Sequence, residues 1–137
     1  MTRYAIDAAT VVHLVDHDLT PAPGHQLVAP NALRSEALQL LLDDVLSGRR
    51  TERAALLAHE RITGLKVRLL GDRVSRATAW RIARERNWAT LHDAEYLAVT
   101  RLQADALVTV NADLAQKAAG AVPLAPLDAL LTVDEGR

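Results

Sequence analysis

"ALVTVNADLAQKA", Ala106 to Ala118, contains the transition on which the fold turns. Ala106 to Val110 is an apolar run of strand length, broken only by Thr109. Its β-branched residues suit a strand buried on both faces. Helical character begins at once, from Asn111 to about Ala119. A buried strand that feeds straight into a helix is the unit of an α/β sheet with parallel strands. The polar pair at the junction has two readings. Asn111 caps the helix and Asp113 suits the first-turn dipole, or the two side chains form one wall of a metal site.

The same unit recurs upstream. Tyr4 to Ile6 reads as a strand, then Asp7, then helical spacing over Thr10 to Asp18. "LTPAPGHQ", 19–26, is a loop by its prolines and glycine. Leu27 to Ala29 is a second strand. Pro30 and Asn31 open a long helix with Leu33, Ala37, Leu40, Leu41 and Val45 on its apolar face, ended by Gly48. Helices follow over Thr51 to Gly64, Asp72 to Arg86 and His92 to Gln103. Lys66 to Leu70 and Val122 to Leu124 read as further strands. A polar tail is expected from about residue 126. The pattern predicts one domain over residues 1–137, a short, mainly parallel sheet flanked by helices.

Composition narrows the function. The chain of 137 residues is half hydrophobic, which disfavours disorder. It has no cysteine, which excludes disulfides, Cys-ligated zinc and thiol catalysis and fits a cytoplasmic protein. A formal net charge of −1 provides no global field toward nucleic acid. No apolar stretch approaches the length of a membrane span, and Asp7 interrupts any signal-like run at the start.

In parallel sheets, sites form beyond the carboxyl ends of the strands. Asp7 follows "YAI" directly, and Asn111 and Asp113 follow "ALVTV". Asp93 opens the helix that leads into that strand. Glu36 sits on the long helix between Leu33 and Leu40, sharing a face with both. A carboxylate on an apolar stripe is costly unless it is paired, protonated or bound to a cation. Each acid alone has a plain structural role as cap, dipole partner or ion-pair member. Acids converging on one edge repel one another, and a hard divalent cation resolves that conflict.

"YAIDAATVVHL", "LVAPNALRSEALQLL", "LHDAEYLAVTRLQADALVTVNADLA" and "VPL" occur in the order and approximate spacing of PIN-domain ribonucleases. The chain resembles the VapC-type toxins of bacterial toxin–antitoxin pairs from about Tyr4 to Leu124. The resemblance implies a PIN-like three-layer α/β sandwich. It implies endoribonuclease activity dependent on Mg²⁺ or Mn²⁺, with Asp7, Glu36, Asp93 and Asp113 as catalytic metal ligands. It further implies a small cognate antitoxin, an RNA substrate and a homodimer. Two positions depart from the family pattern. Asn111 stands where an acid is usual, as a cap or a neutral outer group, and Ala9 stands where Ser or Asn is common, with Thr10 as the nearest hydroxyl.

A second class is a catalytically degenerate PIN-like domain that binds protein or RNA without cutting it. Arg73, Arg76, Arg81, Arg84 and Arg86, with Arg49, Arg50 and Arg53, are candidate RNA contacts or plain solvated faces. Trp80 and Trp88 read as packing residues. No assignment of RNA-binding residues follows. The apolar faces of 33–46 and of the helix with Leu56, Leu57 and Ile62 are the candidate antitoxin groove.

Overall fold

A computed structural model describes residues 1–134. Its four strands are β1 (Arg3–Ile6), β2 (Gln26–Pro30), β3 (Val67–Leu70) and β4 (Ala106–Val108). They form one sheet in the order β3-β2-β1-β4, and every pairing is parallel. Seven helices flank it among the described residues: α1 (Ala8–Asp16), α2 (Leu33–Leu46), α3 (Glu52–Thr63), α4 (Arg73–Arg86), α5 (His92–Gln103), α6 (Ala112–Ala118) and α7 (Leu127–Leu131). The architecture is α/β, in keeping with a three-layer sandwich. No helix of the described residues is long and apolar enough to cross a membrane.

The strands are short because burial on both faces needs few residues when each is aliphatic. Ala5, Ile6, Val28, Ala29, Leu107 and Val108 are all fully or almost fully buried. Each large aliphatic of this kind contributes roughly 1.5–3 kcal/mol by leaving water. Helix α5 lies across β1, β2 and β4 and is backed by α4, while α1, α2 and α3 pack on one another. Leu97, Ala98 and Val99 of α5 and Leu33, Ala37 and Leu41 of α2 carry the core between layers.

Three elements differ from the sequence reading. Thr109 and Val110 leave the strand, because Val110 N–H donates to the Thr10 hydroxyl instead of to a ladder partner. The expected strand Val122–Leu124 is reduced to a single bridge between Leu107 and Leu124. Pro123 and Pro126 on either side lack the N–H a strand needs. Within the expected tail, residues 127–131 form α7, whose Leu130 is fully buried. The tail residues 135–137 lie outside the described part.

The strand order places a site. From β1 the chain moves to one side through β2 and β3, and β4 is added on the other side. The order therefore reverses between β1 and β4, where a crevice opens beyond the carboxyl ends.

Candidate active site

A cleft of about 270 Å³ occupies that switch point, lined by Asp7, Ala8, Ala9, Glu36, Gln39, Leu40, Asp93, Tyr96, Asn111 and Leu114. Four of the polar groups come from four places: the β1–α1 turn, α2, the start of α5 and the β4–α6 turn.

Asp7 is 4% exposed and caps α1, accepting from Thr10 N–H at 3.3 Å. Its Oδ1 also accepts from the Thr10 hydroxyl. Its Oδ2 accepts from the Thr109 hydroxyl at 2.9 Å, which in turn accepts from Asn111 N–H at 3.0 Å. The two strand-to-helix turns are thus stitched through one carboxylate. Burial pushes the Asp7 carboxyl above its ordinary range, and the threonine hydrogen bonds only partly oppose that.

Glu36 Oε2 accepts from the Tyr96 hydroxyl at 3.1 Å, while its Oε1 is buried with no hydrogen-bond partner. Burial raises this carboxyl too, with the Tyr96 bond opposing. Burial, followed by Glu36, raises Tyr96 well above the usual phenol range, so it remains a donor. An orphaned buried carboxylate oxygen is costly and calls for a partner.

Asp93 faces the cleft but is also held by Lys117, whose Nζ lies 2.8 Å from Oδ2. Asp113 lies outside the cleft lining; its side chain is 73% exposed and 3.5 Å from the same ammonium. Asn111 lines the cleft while its Oδ1 accepts from Asp113 N–H at 3.0 Å and from Leu114 N–H at 3.4 Å. Asp7, Glu36, Asp93 and Asn111 therefore come together, and Asp113 stands apart. Asn111 is indeed a cap, as one of the two readings has it. The described residues contain no preformed cluster of three or more carboxylates or imidazoles at metal-ligand spacing.

Sequence reasoning overlooked Tyr96 and Lys117. Tyr96 lies three residues from Asp93 and Lys117 four from Asp113, spacings that put each pair on one helix face. Among the arginines, Arg50 is committed to Asp16 at 2.8 Å and to Asp44 at 3.2 Å, and Arg49 to Asp44 at 3.0 Å. Trp88 packs against the core, whereas Trp80 is 62% exposed on α4, contrary to a packing role.

No family model matches the chain, and no curated protein matches it. Among solved structures it is similar to the crystal structure of PAE2754 from Pyrobaculum aerophilum. The identity is 25% and the TM-score 0.70, over 95% of this chain and 93% of that one. The likeness extends over the whole α/β domain.

The donor types of the cleft, though not their present spacing, are those a divalent cation takes. The polar lining is rich in oxygen donors, the preference of hard cations, and Glu36, one of its carboxylates, has a buried Oε1 with no hydrogen-bond partner. Asp7, Glu36 and Asp93 could hold such an ion, with Asn111 outside them.

Proposed function

We propose that this chain is a metal-dependent endoribonuclease of the PIN type, acting as the toxin of a toxin–antitoxin pair. The observation that carries the reading is the meeting of Asp7, Glu36 and Asp93 in one cleft at the β1/β4 switch point, with a buried carboxylate oxygen left unpartnered. Mg²⁺ or Mn²⁺ held there would supply Lewis-acid activation of water and charge stabilisation at the leaving oxygen of a phosphodiester.

The chain's own residues divide the remaining work. Thr10 and Thr109 fix both oxygens of Asp7, so that this carboxylate is oriented before any ligand arrives. Tyr96 turns Glu36 so that one oxygen is occupied and the other is free. Lys117 offsets the negative charge of Asp93 and Asp113 at one side of the cleft. RNA phosphates need cations that are not already spent, which favours the α4 arginines over Arg49 and Arg50.

An antitoxin partner is supported by an apolar groove of about 390 Å³ between α2 and α3, with Leu38, Leu42 and Leu56 exposed along it. Ile62 is buried and takes no part in it. A homodimer and a cytoplasmic location complete the reading.

Purified protein should cleave RNA with Mg²⁺ or Mn²⁺, and Asp7→Ala and Asp93→Ala should each abolish cleavage. Full activity in both variants would reject the mechanism. The Lys117–Asp93 ion pair favours a second reading, a domain that binds RNA or protein without cutting, because an ammonium already balances one acid. RNA binding without detectable Mn²⁺ binding at millimolar metal would select it.

A further inference from the structure

We propose that a second cavity on the same sheet edge is a guanine subsite; the proposal rests on the RNA-cleaving reading and names part of its substrate. The cavity, about 190 Å³, lies beyond β2 and β3 and is lined by Pro30, Asn31, Leu70, Gly71, Arg76 and Glu95, among others. It neighbours the acidic cleft along the carboxyl edge of the sheet, about two strand spacings away, roughly 10 Å. Helix α5 separates the two. Asp93 and Tyr96 face the cleft, and Glu95 and Val99 face the cavity. A nucleotide whose phosphate sits at the acids can reach this cavity with a base.

The lining has the character of a base pocket. Pro30, Leu70 and Val99 supply apolar walls for a flat ring, and the polar groups stand at the edges. Glu95 brings a carboxylate that forms no ion pair among the described residues. Arg76 is braced by a bond from Nη1 to the Gly71 carbonyl, which leaves the rest of its fork free for an acceptor. Asn31 is packed so closely over Gly71 that a Cβ there would collide with its amide. Glycine at 71 therefore allows the amide to lie at this end of the sheet.

Base identity follows from hydrogen-bond direction. A carboxylate accepts two parallel bonds only from adjacent donors. Guanine offers N1–H and N2–H side by side. Adenine and cytosine place a ring acceptor beside their amino group, and uracil places carbonyls on both sides of its single N–H. Guanine O6 and N7 are acceptors, the usual partners of arginine. Glu95 for the donor edge and Arg76 or Asn31 for O6 or N7 is a pairing that the other bases do not satisfy.

The test uses the whole protein and the four nucleoside 5′-monophosphates, titrated by NMR in EDTA so that neither metal nor cleavage contributes. GMP should bind tightest, and Glu95→Gln and Arg76→Ala should each weaken it by about tenfold. Equal affinity for all four nucleotides, or GMP affinity unchanged in Glu95→Gln, would overturn the subsite. Asn31→Ala is a second variant that leaves both charges in place, and it should also lower GMP affinity. Mapping cleavage sites on RNA separates this proposal from the nuclease reading. Cleavage with no bias toward G sinks the subsite and leaves the nuclease. GMP-selective binding lost in Glu95→Gln, with no RNA cleavage under any metal, sustains the subsite and sinks the nuclease.

Discussion

The β1–α1 and β4–α6 turns are neighbours, built alike, and differ in charge. Each leaves a buried parallel strand and caps a helix with a polar side chain, Asp7 directly after β1 and Asn111 after Thr109 and Val110, and both capping side chains line the same cleft. At the first turn the cap is a buried carboxylate, Asp7; at the second it is an amide, Asn111, whose helix carries its negative charge two residues on at exposed Asp113. Backbone geometry therefore asks only for an oxygen acceptor, which an amide provides as well as an acid. A buried charge at the first turn exceeds what a cap needs. Under the proposed reading that surplus serves chemistry at β1, and its absence at β4 leaves the second turn as a wall of the cleft.

The largest effect should come from removing the surplus while keeping the cap. Asp7→Asn retains an oxygen acceptor but no charge, and RNA cleavage in Mn²⁺ should fall by more than about 100-fold, beyond what outer-shell partners of a metal usually cost. If Asp7→Asn cleaved like wild type, the two turns would be equivalent and the contrast lost. Next is the stitch between the turns. Thr109→Val removes the hydroxyl that donates to Asp7 and accepts from Asn111, and urea unfolding at neutral pH should show a loss of roughly 2 kcal/mol.

Making the turns alike is the converse experiment. Asn111→Asp puts a second carboxylate on the cleft, and calorimetry should show Mn²⁺ affinity rising by roughly tenfold, since site charge tunes affinity for hard cations. pH sharpens the contrast further. The Asp7 and Glu36 carboxyls titrate above their ordinary values of 3.8 and 4.5. The folded state then holds more protons than the unfolded state in the window just above those values, so metal-free stability should rise as pH falls through it. Asp16, lowered mainly by its hydrogen bond from Arg50, acts oppositely: its contribution is present above 3.8 and is lost as pH falls further. Asp7→Asn should shrink the upper limb, leaving the share due to Glu36, and should not change the lower one. The smallest effect belongs to Asp113→Asn, an exposed partner of Lys117, which should change stability by at most about 1 kcal/mol.

Strand-to-helix junctions were legible because burial on both faces leaves continuous aliphatic runs, and because Asp7, Asp72 and Asn111 cap helices in a recognisable way. Asp7 was legible from its place at a strand end, Glu36 from its place on an apolar helix stripe and Asp93 from a helix start, and the family resemblance grouped them. The sequence reading made Asn111 a cap and Asp113 a charged ligand; the structure has the cap, but the capping side chain lines the cleft and the first-turn Asp113 faces solvent. Tyr96 and Lys117 act across elements, 60 residues from Glu36 and 24 from Asp93, distances that local pattern does not span. The short α7 was hidden because only Leu130 of its five residues is fully buried, the other apolar ones packing at the edge of a core built elsewhere.

Manganese titration of the metal-free protein, followed by electron paramagnetic resonance, tests the central claim most directly. Wild type should bind Mn²⁺, with binding strongly weakened in Asp7→Asn and Glu36→Gln and nearly unchanged in Asp113→Asn. Equal binding by wild type and Asp7→Asn, or loss only in Asp113→Asn, would contradict a cation site built on the β1–α1 turn.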